Sequence, residues 1–216
     1  MVVSRILTTV TLHNHGETGA FTHDPQDETT MTTAPHILAV CTGNICRSPA
    51  IERLLSFYLS RSCRISSAGT GAVVGAPIAS PMAAHLHSRH VSTSKFAARQ
   101  ITTGLIDDAD LIVTATREHR STVVALQPLA MRYTFTLKEF AHSAASADLA
   151  TLGPLSVAER LTLLTEHAYK ARPRMHLTGA QMDIPDPFQG TDEIYEVAFD
   201  MIFKAVSTIV YQLTAK

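Results

Sequence analysis

The chain has 216 residues, of which 45% are hydrophobic and 17% are charged, with 18 basic and 19 acidic side chains. This length fits one compact α/β domain with an appendage, and the apolar fraction excludes wholesale disorder. A net charge of −1 excludes nucleic-acid binding by bulk positive charge, and no apolar run approaches the ~18 residues that cross a membrane. Three cysteines are too few for a disulfide scaffold, so we expect a cytoplasmic protein.

The first 33 residues differ from the rest of the chain. After a short apolar start, residues 13–33 are polar and show no period. A secretory signal would need a longer apolar region and a cleavage site with small residues. We therefore expect 1–33 to be a disordered N-terminal extension and 34–216 to form the domain. A start of translation at Met31 is the alternative.

A strand–loop–helix unit comes next. Residues 36–41 (HILAVC) are almost entirely apolar, which is typical of a parallel strand buried on both faces. Pro49 suits the first turn of a following helix. The apolar residues of that helix recur at helical spacing, which predicts one buried face made of Ile51, Leu54, Leu55, Tyr58 and Leu59.

Further strands alternate with helices along the chain. We predict strands at 63–69, 110–116 and 132–137, and helices at 81–90 and from about 117 to 126. This alternation implies a parallel sheet joined by right-handed crossovers.

The segment 143–182 does not fit the alternation. Ser156 and Glu159 make a capping box, which predicts a helix within it. Near its end lies a basic patch that we expect to be a solvated charged face, with Lys170, Arg172 and Arg174. An Asp/Pro loop then leads into a last helix, whose predicted apolar stripe comprises Ile194, Val197, Ala198, Met201, Ile202, Ala205 and Ile209.

The segment CTGNICRSP, which begins at Cys41, carries the chemistry. Cys41 ends the first strand, where open α/β sheets bind their ligands. The loop after it directs backbone N–H groups to one place and starts a helix, a combination that binds phosphate. The same positive potential stabilises a thiolate at Cys41. Arg47 can bind two phosphate oxygens with its planar guanidinium.

Two residues suit the sharp path of this loop. Gly43 permits a tight turn, and Asn44 tolerates left-handed backbone angles. The pattern Cys-x5-Arg-Ser is the minimum for a thiolate nucleophile that faces a phosphoryl group. Its position between a buried strand and a helix makes the pattern specific.

The motif VCTGNICRSP resembles the signature of the low-molecular-weight protein tyrosine phosphatases of bacterial type. The resemblance covers about 36–142 and 183–214, and it implies a flavodoxin-like α/β fold with a doubly wound four-stranded parallel sheet in three α/β/α layers. The similarity continues in the family's order through SAGTG (67–71), AARQIT (97–102), DADLIVT (108–114) and DPF (186–188).

The resemblance also implies a role for each site residue. Cys41 would attack phosphorus to form a phosphocysteine, Arg47 would stabilise the transferred oxygens, and Asp186 would protonate the leaving phenolate and then activate water. Ser48 would hydrogen-bond the thiolate, and Ser67 would brace the loop together with Asn44. The phosphate-binding residues would be Thr42, Gly43, Asn44, Ile45, Cys46, Arg47 and Ser48. Because the loop amides neutralise the phosphate, neither a metal nor another cofactor is expected.

The chain departs from the family's pattern at three places. Phe96 stands where members often carry a histidine that bonds to Asn44. DPF replaces DPY, so Phe188 would still form an aromatic pocket wall opposite Ile45 but lacks a hydroxyl. The segment 143–182 is longer than the usual link before the acid loop, and it could form a lid or a partner surface.

Other residues have more than one interpretation. Cys46 either forms a reversible disulfide with Cys41 or packs under the loop, and Cys63 is expected in the core. Asp183 is the rival of Asp186 for the acid role, but we expect it to be a solvated loop carboxylate. Zinc binding is disfavoured because no cysteine or carboxylate pair completes a site with His85, His87 and His90.

The predicted function is hydrolysis of phosphotyrosine in proteins, so the expected partner is a tyrosine-phosphorylated protein rather than nucleic acid or a membrane. A protein-arginine phosphatase is a related alternative, although the apolar Ile45 suits an aryl ring better than a guanidinium. An arsenate reductase would need additional cysteines well downstream of the loop. A pseudoenzyme that binds phosphotyrosine without turnover is the third alternative. The sequence leaves the oligomeric state open.

Overall fold

The computed structural model describes residues 34–149 and 153–215, so the extension predicted at 1–33 lies outside the described residues. Two short 3-10 helices, Pro128–Arg132 and Arg172–Arg174, join the main elements. The strands are β1 (His36–Cys41), β2 (Arg64–Gly69), β3 (Leu111–Thr114) and β4 (Thr134–Thr136). The α-helices are α1 (Arg47–Leu59), α2 (Ser80–Ser88), α3 (Thr103–Asp107), α4 (Arg117–Leu126), α5 (Leu137–Ala145), α6 (Val157–Ala171), α7 (Gly179–Met182) and α8 (Asp192–Thr214).

The four strands form one parallel sheet in the order β2-β1-β3-β4. Ala39 in β1 pairs with Ser67 of β2 on one side and with Val113 of β3 on the other. The chain therefore winds outward from β1 in both directions, as a doubly wound flavodoxin-like sheet does, and the predicted fold is confirmed. The carboxyl end of β1 lies at the point where the winding reverses.

Helices cover both faces of the sheet. Ile37 and Ala39 point into a large core formed with α1, α2, α5, α6 and α8. Leu38 and Val40 point into a smaller core on the other face, formed with α3, α4 and the first 3-10 helix. Because β1 is buried on both faces, nearly every position in it must be apolar, which explains the uninterrupted run in the sequence.

The predicted faces of two helices need correction. In α1, Tyr58 is 47% exposed, whereas the other four predicted residues are buried. In α8, Ile194 and Val197 are exposed, and Met201 is only partly buried. These residues lie along one border of the buried face, which runs at spacings of three and four residues from Tyr195. The buried set of α8 is Tyr195, Ala198, Phe199, Ile202, Ala205, Val206, Ile209 and Leu213.

The segment 143–182 contains the predicted helix, observed as α6. The Ser156 hydroxyl accepts the N–H of Glu159, and the Glu159 carboxylate accepts the N–H of Ser156, as the capping box predicts. Helix α6 packs against α5 and α8 in the larger core. Helix α5, which begins at Leu137, was not predicted, because the apolar run at 132–137 indicated a longer strand.

The basic patch is not a uniformly solvated face. Lys170 and Arg174 are exposed, as predicted. The prediction is wrong for Arg172, whose Nε donates to Glu139 over 2.8 Å and whose guanidinium lies 4.4 Å from the Phe135 ring centroid. The Arg172 guanidinium pairs with a buried carboxylate and stacks on an aromatic ring, so most of it is shielded from solvent.

Two further points concern the described ranges. Cys63 is 3% exposed and belongs to the core, as expected. Within 34–149 and 153–215, no helix is both long and apolar enough to span a bilayer.

Candidate active site

The loop after β1 is the centre of the candidate site. Cys41 is the last residue of β1, Arg47 is the first residue of α1, and residues 42–46 connect them. Asn44 adopts a left-handed φ of 54°. Gly43 does not have a positive φ, and a Cβ added there would lie 3.3 Å from Cγ1 of Ile45. The sharp turn is made at Asn44.

The segment after β2 supports the loop from behind. The N–H groups of Thr70, Gly71 and Val73 donate to the carbonyl oxygens of Cys41, Thr42 and Gly43, at 2.9, 3.1 and 3.0 Å. Gly69 ends β2 where the Thr42 carbonyl passes, and an added Cβ would overlap that oxygen. Only glycine permits this close approach, which accounts for Gly69 in the SAGTG motif.

Cys41 is buried and its thiol has one hydroxyl partner. Its Sγ lies 2.9 Å from Oγ of Ser48. Asn44 donates from Nδ2 to Ser48 over 3.0 Å and to Ser67 over 2.8 Å. Because Ser48 accepts from Asn44, its own proton is available to two acceptors, the Cys41 sulfur at 2.9 Å and the Ala68 carbonyl oxygen at 3.4 Å. Asn44, Ser48 and Ser67 are all fully buried or nearly so, which fixes this arrangement beneath the loop.

Arg47 is a buried cation at the same place. It is 4% exposed, and it donates from Nη1 to the Ile184 carbonyl and from Nη2 to Oδ2 of Asp186, at 3.3 and 2.6 Å. Its Nε is buried and has no hydrogen-bond partner among the described residues. A buried donor of this kind is costly unless a ligand satisfies it, and an oxyanion is the natural ligand of a guanidinium.

The loop that carries Asp186 is held at its start by α4. The N–H of Ile184 donates to the Ala115 carbonyl over 2.9 Å. The expectation that Asp183 is a solvated carboxylate is wrong, since it accepts from the Arg117 backbone N–H at 2.8 Å and pairs with the Arg117 guanidinium. The positive end of α4 stabilises this carboxylate. Asp183 therefore anchors the loop, and Asp186 reaches Arg47.

These groups meet in one cavity of about 180 Å³. Cys41, Arg47 and Asp186 line it, with Phe188, which is 51% exposed, at its mouth. The remaining lining residues are Thr42, Gly43, Ile45, Cys46, Gly71 and Val73. Asn44, Ser48 and Ser67 do not line the cavity and act on it through hydrogen bonds. None of the described residues of 143–182 is among these lining residues.

A family model described as low molecular weight phosphotyrosine protein phosphatase matches residues 36–161. The chain belongs to this family. Wzb of Salmonella typhi is 43% identical over 93 residues, and Etp of Escherichia coli K12 is 42% identical over 93 residues. Both are named low molecular weight protein-tyrosine-phosphatases. Each alignment covers 43% of this chain, and it covers 61% of Wzb and 62% of Etp, which is less than two thirds of either relative.

Solved structures of the family share the fold. Erwinia amylovora tyrosine phosphatase AmsI is 25% identical with a TM-score of 0.62, over 86% of this chain and 97% of that chain. The YwlE arginine phosphatase of Geobacillus stearothermophilus is also 25% identical, with a TM-score of 0.61 over 83% and 92% of the two chains. Since these two neighbours are named for different substrates, the fold alone does not choose between tyrosine and arginine.

Phe96 stands where a histidine was expected to bond to Asn44, but the Asn44 side chain has other hydrogen-bond partners. The backbone N–H of Arg99 donates to Oδ1 of Asn44 over 2.9 Å, and Nε of Arg99 donates to the Ser67 carbonyl over 2.8 Å. Phe96 is partly buried beneath the Arg53 guanidinium. The sequence does not reveal the contribution of Arg99, because its bond to Asn44 comes from the backbone and its partners lie far away in the chain.

Cys46 packs under the loop. It is 3% exposed, and its Sγ lies 3.8 Å from the hydroxyl of Tyr195. Burial raises the pKa of the Cys46 thiol to about 11, so this sulfur is protonated near neutral pH. All three cysteines are free thiols in the structure.

His119 belongs to the site but was not singled out in the sequence. It lies 77 residues from Thr42, yet its Nε2 is 2.8 Å from Oγ1 of Thr42. Burial lowers the pKa of His119 to about 4, and the nearby Arg47 charge acts in the same direction. No sequence motif indicates a role for His119, because its contact with Thr42 forms only in the folded chain.

Metal ligands do not cluster in the described part of the chain: it holds no group of three His, Cys, Asp or Glu residues placed to bind an ion. Of the histidines weighed for zinc, His85 stacks on Phe199 and His87 bonds to Thr93. These contacts give both side chains structural partners.

Proposed function

We propose that this chain is a cysteine-dependent phosphatase that hydrolyses phosphotyrosine in proteins through a phosphocysteine intermediate. The observation that carries the proposal is that Cys41, Arg47 and Asp186 line one cavity, although Asp186 lies 139 residues from Arg47 in the chain. A thiol, a buried guanidinium and a carboxylate are the nucleophile, the anion-binding group and the proton donor that phosphoryl transfer needs.

In the first step, the Cys41 sulfur attacks phosphorus while the bond from phosphorus to the tyrosine oxygen breaks. Ser48 donates a hydrogen bond to the sulfur, which favours the thiolate before attack. Arg47 and the loop N–H groups stabilise the phosphoryl oxygens. Asp186 gives its proton to the leaving phenolate, so that a neutral tyrosine leaves.

In the second step, water attacks the phosphocysteine. Asp186, now a carboxylate, takes a proton from the water as the sulfur–phosphorus bond breaks. Inorganic phosphate leaves, and the thiolate of Cys41 is restored to its contact with Ser48. Atoms and charges balance with water as the second substrate, and no metal or cofactor takes part.

The walls of the cavity favour an aryl phosphate. Ile45, Val73 and Phe188 are apolar or aromatic, and they surround the entrance to the thiol. A flat ring packs well between such side chains, whereas the guanidinium of phosphoarginine would lose hydration against them. The curated relatives named above are protein-tyrosine-phosphatases, which supports the same choice.

The remaining alternatives make different demands. An arsenate reductase would need cysteines that relay electrons, but Cys63 lies in the core and Cys46 is held against Tyr195. A pseudoenzyme that only binds phosphotyrosine would not need Asp186 beside Arg47.

We also assign the phosphatase domain to 34–216 with an insertion at 143–182, and we place the protein in the cytoplasm, which suits three free thiols.

The test is hydrolysis of an aryl phosphate and of a tyrosine-phosphorylated peptide, with EDTA present. We expect Cys41→Ser to lower kcat by at least about a thousandfold, because the hydroxyl is a far weaker nucleophile. Asp186→Asn should lower kcat by about a hundredfold or more, since the leaving group then departs as phenolate. The matched control is Asp183→Asn, which removes a carboxylate from the same loop.

Asp183 anchors the loop but does not line the cavity, so its variant should lose less than about tenfold in kcat. Equal losses in the two aspartate variants would contradict the acid role of Asp186. Turnover of phosphoarginine but not of phosphotyrosine would replace the substrate assignment. Tight phosphopeptide binding without turnover by the wild type would support the pseudoenzyme.

A further inference from the structure

A buried histidine connects the phosphate-binding loop to α4. The His119 side chain is 6% exposed. Its Nε2 lies 2.8 Å from Oγ1 of Thr42, and its Nδ1 lies 2.7 Å from Oγ1 of Thr116. Two hydrogen bonds to an uncharged ring, made from opposite sides, fix both its position and its orientation.

The helix cap indicates which atom donates and which atom accepts in the two hydrogen bonds of His119. Thr116 is the N-cap of α4, and its hydroxyl oxygen accepts the backbone N–H of His119. Its proton is then free to go to Nδ1 of His119. A neutral ring that accepts at Nδ1 carries its proton on Nε2, so it donates to Oγ1 of Thr42.

Burial is the main reason that the ring stays neutral. Arg47 opposes a positive charge on His119, Asp186 and Asp183 favour one, and burial dominates, which lowers the pKa of His119 to about 4. A protonated ring would need an acceptor at each nitrogen, so the Thr116 hydroxyl could no longer donate to Nδ1.

Thr42 is an exposed residue at the mouth of the phosphate cavity, where packing does little to restrain it. It also lines a second cavity of about 370 Å³, together with Thr116 and His119. Arg47 and Asp186 line both cavities as well. Thr42, Arg47 and Asp186 therefore lie between the two cavities. The hydroxyl of Thr42 is held by its hydrogen bond to His119.

We propose that His119 is a positioning residue, which fixes the side chain of Thr42 as the wall between the phosphate cavity and its polar neighbour. The inference rests on the proposed function, because it assigns the phosphoryl group to the cavity that Thr42 borders. The hydrogen bond to His119 holds the whole Thr42 side chain in one position at the border of the phosphate cavity, and a side chain without this bond is free to move there. The role concerns binding of the phosphoryl group, and the chemistry at Cys41 proceeds unchanged.

The variants that test this are Thr42→Val, which removes the hydroxyl at constant shape, and His119→Phe, which keeps a flat ring. We expect each to raise KM and to weaken binding of inorganic phosphate by about fivefold, the cost of one such hydrogen bond, with a smaller change in kcat. The double variant should be no worse than either single variant. Thr42→Ser, which keeps the hydroxyl, should recover most of the loss seen in Thr42→Val.

The control is His87→Gln, an exposed histidine of α2 that should leave KM unchanged. Additive losses, or Thr42→Ser behaving like Thr42→Val, would overturn the proposal, as would an effect on thermal stability with KM intact. Nuclear magnetic resonance of the wild-type imidazole nitrogens gives an independent test: His119 should be the neutral Nε2–H form from about pH 5 to pH 8. Titration near pH 6.5 would overturn the proposal.

Phosphate binding and the imidazole spectrum do not require turnover. If the wild type hydrolyses no phosphate ester but both measurements agree with expectation, the proposed function fails while the positioning role stands. If turnover is normal and His119 titrates as a free histidine, the reverse holds.

Discussion

At the scale of single residues, burial of His119 makes stability depend on pH. Its pKa is lowered from 6.5 to about 4, so the folded protein binds the proton less readily than the unfolded chain does. Above about pH 6.5 both states are neutral, and the residue contributes no pH dependence. Between about pH 6.5 and about pH 4 the unfolded state alone gains the proton, so the free energy of unfolding falls as the pH falls.

We predict that wild type loses about 2 kcal/mol more unfolding free energy than His119→Gln between about pH 7 and pH 5. The physical reason is that the variant has no proton to gain at this position in either state. Urea denaturation at the two pH values measures the difference. Between about pH 7 and pH 8 the two proteins should change in parallel, and parallel change over the lower range as well would show that His119 is not held neutral.

The sequence is uninformative about the roles of residues whose partners lie far away in the chain. The strand–loop–helix unit around Cys41 was predicted correctly because its sequence pattern is local, although Ser67 and Arg99 support the loop from far away in the chain. Asp183 was misjudged because its partner Arg117 lies 66 residues away and the pair forms only when the strands are assembled. His119 was missed for the same reason.

At the scale of elements, a buried ion cluster joins α4, α5 and the 3-10 helix after α6. Glu139 is 1% exposed and accepts from Arg120 at 2.7 Å and from Arg172 at 2.8 Å. It also accepts the Thr136 N–H in a second capping box. This carboxylate therefore ties the end of 143–182 to the sheet, where Arg172 also donates to the Thr134 carbonyl.

We predict that Glu139→Gln lowers the free energy of unfolding by about 3–5 kcal/mol, because it leaves two arginines without their buried counter-charge. The matched control is Glu166→Gln in α6, which removes an exposed partner of Lys170 and should change stability by less than about 0.5 kcal/mol. Urea denaturation of both variants measures the contrast. Similar small effects in the two would mean that solvent reaches Glu139.

The capping boxes of α5 and α6 show what a local pattern can and cannot predict. Ser156 and Glu159 stand apart from other signals, and they correctly predicted the start of α6. Thr136 and Glu139 have the same spacing, but Thr136 also ends an apolar run with strand character. Thr136 is both the end of a strand and the cap of a helix. The apolar pattern therefore predicted a strand that is too long, and it did not predict α5.

At the scale of the whole molecule, ligand binding should be coupled to folding, since the proposed anion site forms only when β1, α1 and the loop before α8 are assembled. Inorganic phosphate should therefore stabilise the fold, by about 2.7 kcal/mol at a hundred times its dissociation constant. We expect Cys41→Ser to keep this stabilisation and Arg47→Ala to lose most of it. Thermal unfolding with and without phosphate is the measurement, and an equal gain in Arg47→Ala would show that phosphate binds elsewhere.

Removal of metal ions should change neither stability nor turnover. EDTA should leave the thermal midpoint and the hydrolysis rate as they are, since the positive charge at the cavity comes from Arg47 and from backbone N–H groups. A loss of activity that added metal restores would contradict this.

Alternation of strands and helices was enough to predict the topology, because parallel strands require crossovers and crossovers have one hand. The faces of the longest helix were harder to predict. Which side of α8 is buried depends on how α1 and α5 pack against it, and the apolar Ile194 and Val197 lie at the edge of that contact.

The first strand and the last helix separate the two ends of the described domain from the candidate site. β1 enters at His36 and reaches Cys41 after ~20 Å of strand. Helix α8 begins at Asp192, near Phe188, and its 23 residues carry the chain ~34 Å along the helix axis. Residue 215 follows the end of this helix, so a fluorophore or fusion partner attached there lies about one helix length from the start of α8.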